Sequence, residues 1–264
     1  MKSNFSQNCD RSIFIDSSNL EEIKKWNSTG IADGVTTNQL IMLKDGIKPK
    51  DFEKVVKNIC KEMKGKPVSV ELTDSTAKFE TMVKEAKRLN KLAENIVVKV
   101  PLIPDTTKSL MVISELVKAN IAINVTTMMT YEQMLVAILA TRHAKRLSFV
   151  SIFYARSIED HEKYRSKKAF ESENPKVGKE SDVNADVNNL VRATADFLIE
   201  GGYNNPKIIV GSIRNASMVG EAFAAGGNIV TITPDVLNAM LYSKRSIETI
   251  KDFDDAWKEL QKKK

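Results

Sequence analysis

Ile96-Val97-Val98-Lys99-Val100-Pro101 is a short β-branched run bounded by Glu94-Asn95 before it and Pro104-Asp105 after it. A continuous apolar run of this length reads as a strand buried on both faces, as in a parallel sheet. Lys99 is out of place there. A buried ammonium is expensive, so the lysine either pairs with a carboxylate or gives up its proton. A neutral, desolvated lysine is a nucleophile that forms a Schiff base with a ketone or aldehyde. The alternative is an ordinary strand-end lysine that snorkels to water or forms a structural ion pair. The segment alone leaves these readings open.

Runs of the same kind recur over residues 13–16, 34–38, 67–72, 121–127, 147–153, 207–213 and 229–233. Amphipathic helical patterns separate them. Leu20, Ile23 and Trp26 mark one helix face that stops at Gly30, and Phe79, Met82, Val83, Ala86 and Leu89 mark another. Thr130 with Gln133 forms a capping-box pattern, and Gly226 suits a helix stop after Val219, Ala222 and Phe223. Eight strands alternating with helices over 264 residues predict an α/β protein, a single-domain (β/α)8 TIM barrel spanning 1–264. A short N-terminal extension is expected over 1–11, and a C-terminal helix with a basic tail over 250–264. A doubly wound open sheet is the runner-up, but no glycine-rich phosphate fingerprint follows the first strand.

Composition narrows the function. The chain is 42% hydrophobic, enough for a full core, and no apolar run reaches membrane-spanning length. No secretion-type leader is visible, so a cytoplasmic location is expected. Two cysteines, Cys9 and Cys60, and two histidines, His143 and His161, make a disulfide framework, a metal site or a Ser-His triad poor explanations. The net charge of +6 raises nucleic-acid binding, but the lysines lie in mixed Glu-Lys helix faces without interleaved aromatics. Neither nucleic acid nor membrane is an expected partner. A mild positive bias suits a phosphorylated small molecule equally well.

Barrels of this kind carry their sites where the strands end. Period-2 alternation places polar residues on one face of several strands: Asp16 on the first, Thr36 and Asn38 on the second, Ser69 and Glu71 on the third. Ala122, Asn124 and Thr126 share a face of the fifth strand, and Phe149, Ser151 and Phe153 a face of the sixth. On the seventh, Val210, Ser212 and Arg214 are expected to oppose Ile209 and Ile213. Each is an ordinary strand-end residue by itself; together they would ring one pocket around Lys99.

These residues carry a resemblance. Asp33-Gly-Val-Thr-Thr-Asn38, Val97-Val-Lys-Val-Pro101, Asn124-Val-Thr126 with Thr130-Tyr-Glu-Gln133, Ser151-Ile-Phe-Tyr-Ala-Arg156, Gly211-Ser-Ile-Arg-Asn215 and Thr231-Ile-Thr-Pro234 resemble, in order, the motifs of the transaldolase family. The resemblance implies a (β/α)8 barrel, class I aldol chemistry on phosphorylated sugars, and no cofactor. It gives Lys99 the role of Schiff-base nucleophile and Asp16 that of acid–base group at the C4 hydroxyl. Glu71 and Thr126 would position a proton-shuttling water. Asn38, Asn124 and Ser151 would bind the dihydroxyacetone unit, with Thr36 and Phe153 also lining its site. Arg156 and Arg214, with Ser212 beside them, would clamp the phosphate. The chain departs from the family pattern at Gln39-Leu40, at 103–109, at Ile152 and at Ala155.

The near relative fructose-6-phosphate aldolase resembles this chain too, but typically has Gln, Tyr and Lys in the positions of Glu71, Phe153 and Arg214. A retired, merely sugar-phosphate-binding barrel is the reading from another class. The charged segment 160–186 is open to two readings, a solvated excursion or a lid. The apolar stripe of Phe253, Trp257 and Leu260 packs either on its own barrel or on a neighbouring subunit, and the resemblance implies a homo-oligomer.

Overall fold

The computed structural model describes residues 9–173 and 175–263. Most of the expected N-terminal extension, and the last residue of the basic tail, lie outside the described residues. Eight parallel strands close into a barrel in sequence order. They are β1 (Ser12–Asp16), β2 (Ala32–Thr36), β3 (Val68–Glu71), β4 (Ile96–Pro101), β5 (Ile123–Met128), β6 (Phe149–Phe153), β7 (Lys207–Gly211) and β8 (Ile229–Ile232). β1 pairs with both β2 and β8, which closes the ring.

Alternation along each strand builds two cores. Outward-facing Ile15, Val35, Val68, Val70, Val98, Val100, Val125, Val150, Val210 and Val230 pack against the surrounding helices in the larger cluster. Inside the barrel, Phe14, Val97, Ala122, Phe149, Ile209 and Ile229 form a small apolar plug. Phe14 and Phe149 meet edge-to-face, with centroids 5.8 Å apart. Gly34 of β2 makes room for this plug: a Cβ there would lie 2.6 Å from Phe14 Cζ. Above the plug, toward the C-terminal ends of the strands, the interior turns polar.

Helix caps fix where each strand hands over to its helix. Asn19 accepts from the backbone of Glu21 and Glu22 at the start of Leu20–Ser28. Thr130 and Gln133 form the reciprocal box that opens Tyr131–Thr141. Asn215 and Thr233 cap Ala216–Ala224 and Pro234–Met240. Each such cap is worth ~1 kcal/mol. Gly226, with φ +108°, ends the helix before β8, in the left-handed region that favours glycine.

Three expectations need correction, and one open alternative closes. Asn38 is not the end of a strand: β2 stops at Thr36, and Asn38 caps the helix Gln39–Lys44 by accepting from Ile41 N at 2.9 Å. On β7 the inward residues are Ile209 and Gly211, while Val210 faces the helices. Ser212 still reaches the pocket because the strand ends in a left-handed turn there, with φ +58°, which breaks the alternation. The C-terminal helix begins at Lys244 rather than 250, because Ser243 caps it, and it runs to Lys262. None of its residues is buried, so its apolar stripe does not pack on its own barrel.

Segment 160–186 is not merely solvated. It contains a π-helical turn, His161–Arg165, and short helices at Ala169–Glu173 and Asp182–Ala185. Both cysteines are buried, and burial pushes Cys60 up to about 12 and Cys9 up to about 11. Thiols held protonated this firmly are poor nucleophiles at neutral pH. Among the described residues no helix is long and apolar enough to cross a membrane.

Candidate active site

Lys99 stands at the centre of β4, every residue of which is buried. Register places it between Glu71 of β3 and Asn124 of β5. Its side chain is 5% exposed, and its Nζ lies 3.1 Å from Glu71 Oε2. Nζ also donates to the Thr37 carbonyl at 3.0 Å. The lysine does pair with a carboxylate, and it also opens into a cavity of about 750 Å³ at the C-terminal end of the barrel.

That cavity is lined by Asp16, Thr36, Asn38, Asn124, Thr126, Ser151, Phe153, Arg156, Ser212 and Arg214 along with Lys99. Glu71 joins through its ion pair to Lys99. The twelve residues singled out in the sequence thus converge on one place.

Asp16 ends β1 and is partly buried. Burial raises its pKa above the ordinary 3.8, against the pull of Lys99, a hydrogen bond from Thr36 and the charge of Lys44. Glu71 adds to the rise. A carboxyl raised in this way is better matched to proton exchange near neutrality. Thr36 donates to Asp16 Oδ1 at 2.6 Å, so its hydroxyl is committed to the carboxylate.

Asn124 and Ser151 are fully within a hydrogen-bonded row. Ser151 Oγ donates to Asn124 Oδ1 at 2.6 Å, and Asn124 Nδ2 donates to Ser69 Oγ at 3.2 Å. The row fixes the orientation of the Asn124 amide beside Lys99. Thr126 Oγ1 is buried and has no hydrogen-bond partner among the described residues. A buried hydroxyl left unmatched on a cavity wall is suited to a substrate hydroxyl or a bridging water.

Arg156 lies on the helix Tyr154–Asp160, which starts directly after β6, and its guanidinium stacks 5.6 Å from the Phe153 ring centroid. Arg214 follows the left-handed turn after β7. Two groups at this rim escaped the sequence reading. Glu159 sits one helical turn beyond Arg156 and pairs with Arg214 at 2.5 Å. The hydrogen bond from Arg214 is the main cause that lowers the Glu159 pKa, and Arg156 and Lys163 act in the same direction. The i, i+3 spacing from Arg156 was the available signal. Lys44, near the end of the helix after β2, lines the cavity as well. Its sequence context, a last-turn lysine, carries no such signal.

The arrangement combines a buried amine, a carboxylate to take its proton, a second carboxylate with raised pKa, hydroxyl and amide groups, and two guanidiniums. This is a complete set for imine-based carbon–carbon chemistry on an anionic ketose. Among the described residues no cluster of His, Cys, Asp and Glu has metal-binding geometry.

Comparison with known proteins agrees. The family model described as transaldolase/fructose-6-phosphate aldolase matches residues 13–264. A protein of Nitrosopumilus maritimus described as "Probable transaldolase" is 32% identical over 249 residues, covering 94% of this chain and 96% of the relative. One from Methanococcus maripaludis with the same description is 34% identical over 245 residues, covering 93% and 96%. Among solved structures, dihydrodipicolinate synthase from Rhodopseudomonas palustris superposes with a TM-score of 0.56 at 11% identity, covering 88% of this chain and 72% of that one, a likeness of fold alone. With the family match running from the first strand to the end of the chain, this protein belongs to the transaldolase/fructose-6-phosphate aldolase family.

Proposed function

We propose that the protein is a transaldolase that moves a dihydroxyacetone unit from a ketose phosphate to an aldose phosphate through an imine on Lys99. The donor is sedoheptulose 7-phosphate or fructose 6-phosphate, and the acceptor is glyceraldehyde 3-phosphate or erythrose 4-phosphate. The observation that carries the reading is Lys99 itself, buried on β4, 3.1 Å from Glu71 and open to the cavity that holds Asp16.

Glu71 takes a proton from the Lys99 ammonium, which frees the lone pair for attack on the ketose carbonyl. The carbinolamine loses water to give the imine. Asp16 then accepts the C4 hydroxyl proton while the C3–C4 bond breaks, and its electron pair flows into the imine as an enamine. The aldose phosphate leaves. An incoming aldehyde accepts the same electron pair, Asp16 returns the proton to the new hydroxyl, and water releases the ketose from Lys99. Asn124, Ser151 and Asn38 hold the hydroxyls of the three-carbon unit, and Arg156 and Arg214 hold the phosphate.

Glu71, Phe153 and Arg214 support transfer over release of free dihydroxyacetone, since all three depart from the residues typical of the aldolase. Fructose 6-phosphate with erythrose 4-phosphate is expected to yield sedoheptulose 7-phosphate. Free dihydroxyacetone in its place would make the protein an aldolase, and no turnover by folded protein would make it a retired barrel. The reading places the protein in the non-oxidative pentose phosphate pathway of the cytoplasm.

We further infer that it works as a homo-oligomer. The helix Lys244–Lys262 presents Ile247, Ile250, Phe253, Trp257 and Leu260, each more than half exposed. Val136, Leu139 and Ile199 lie exposed on two adjoining barrel helices, Tyr131–Thr141 and Val187–Glu200, and are the apolar residues we assign to the stripe of a second copy's helix. Light scattering should give a mass above one chain, and Phe253→Asp with Trp257→Asp should reduce it. A monomeric wild type would overturn this.

A further inference from the structure

Asp16 is held by Thr36, and Thr36 is itself held. Thr231 Oγ1, on β8, lies 2.5 Å from Thr36 Oγ1. We propose that Thr231 is a positioning residue for Asp16, acting through Thr36 by a chain of hydroxyl groups that crosses from β8 to β2 above β1.

Proton counting sets the direction of the chain. A carboxylate only accepts hydrogen bonds. Thr36 has one hydroxyl proton, and it goes to Asp16 Oδ1 at 2.6 Å. The lone pairs of Thr36 are then what faces Thr231, so Thr231 donates. Each donor in such a chain polarises the next, which strengthens the bond to the carboxylate. The bond also fixes the rotation of the Asp16 carboxyl and leaves Oδ2 to exchange a proton with the substrate.

The rotamer of Thr231 is set from its other side. A Cβ on Gly211 of β7 would lie 3.2 Å from Thr231 Cγ2, tighter than an ordinary contact. The Thr231 methyl therefore rests against the face of Gly211, where a side chain would crowd it, and its hydroxyl is turned toward Thr36 of β2. Thr36 and Thr231 are both buried residues on the wall of the cavity, 2.5 Å apart through their hydroxyls. The charged groups acting on Asp16 are Lys99 from β4, Glu71 from β3 and Lys44 from the helix after β2. Removing the Thr231 hydroxyl leaves all three in place, so a change in Asp16 reports on the chain.

The inference deepens the aldol reading, in which Asp16 is the acid–base group, but its first test needs no substrate. In protein labelled with 13C-aspartate, the Asp16 carboxyl signal is assigned by its loss in Asp16→Asn. Thr231→Val, nearly isosteric, should move the Asp16 titration upward by on the order of half a unit or more, because the ionised carboxylate loses support. Thr231→Ser, which keeps the hydroxyl, should leave it close to wild type. Gly211→Ala keeps every hydroxyl but crowds the Thr231 methyl, and should move it in the same direction as Thr231→Val. An Asp16 titration that coincides in wild type and Thr231→Val would overturn the proposal, whatever the enzyme's substrate.

In turnover of fructose 6-phosphate with erythrose 4-phosphate, Thr231→Val should lower kcat by on the order of threefold to tenfold with KM unchanged, and raise the acid limb of the kcat profile. Thr231→Ser should restore kcat. A raised KM with an unmoved titration would make Thr231 a substrate contact and overturn the positioning role. Equal loss in the Ser and Val variants would reduce it to packing. An inactive wild type in which the titration still moves would sink the aldol reading alone.

Discussion

Two cations in this protein are buried to the same degree and do opposite things. The Lys99 side chain is 5% exposed and the Arg165 side chain 4%. Four of the five N–H groups of Arg165 are matched within the protein. Its Nε donates to Asp160 at 2.7 Å, Nη1 to Glu180 at 2.6 Å and to the Asn184 carbonyl at 2.8 Å, and Nη2 to the Ser157 carbonyl at 2.8 Å. A guanidinium does not lose its proton in a protein, and this one fastens the segment after β6 to its own helix. Lys99 has the Thr37 carbonyl and Glu71 for three N–H groups, and its remaining side faces the cavity. Burial of a charge therefore does not mark function. A buried charge with an unfilled position on an open cavity, and a carboxylate able to take its proton, does.

Substitutions at the two sites should separate accordingly. Lys99→Arg keeps the charge but cannot form an imine, and should cut kcat by at least ~10⁴-fold. Asp16→Asn should lower kcat by ~10²–10⁴-fold. Its stability effect has the opposite sign. The folded pKa of Asp16 lies above 3.8, so its contribution to stability is fully present below that value and is lost as pH rises through the folded pKa. Asp16→Asn should therefore melt above the wild-type temperature at pH 7, with the difference shrinking as pH falls toward 3.8 in calorimetric scans. Equal or lower stability at pH 7 would contradict the raised pKa.

Arg165→Ala should break the comparison from the other side. Leaving Asp160 and Glu180 without their cation should destabilise the fold by ~3–5 kcal/mol in urea titrations, with kcat of the folded protein near wild type. A large loss of kcat at full stability would make Arg165 part of the site. The smallest effect is expected at Glu159. Glu159 pairs with Arg214, the proposed phosphate-binding group, so Glu159→Gln should lower KM for a phosphorylated donor a few-fold and leave an unphosphorylated ketose unaffected. An increase in KM would mean that Glu159 holds Arg214 in its binding position.

The barrel was legible because its strands are buried on both faces and so read as β-branched runs, and because caps such as Thr130 with Gln133 are local. Lys99, Asp16 and Glu71 were legible because period-2 alternation and strand order are enough to bring them together. The β7 face was misread at Val210 and Ile209, because one left-handed residue, Ser212, cancels the alternation and no local pattern announces it. Asn38 was misplaced because the same side chain suits a strand end and a helix cap. The anchoring of segment 160–186 was invisible for another reason. Its contacts are not local: Arg165 meets Glu180 within a run of mixed charge that has no period, and Asn184 reaches Glu132 on the helix Tyr131–Thr141. Thr231 escaped because its partner, Thr36, lies 195 positions away.

The central claim is that the unfilled position on Lys99 is where carbon chemistry occurs. Incubation with fructose 6-phosphate and borohydride, followed by peptide mass mapping, tests it directly. A reduced three-carbon unit is expected on the peptide carrying Lys99, present in wild type and absent in Lys99→Arg. Folded wild-type protein that gains no such mass, or gains it on another lysine, would contradict it.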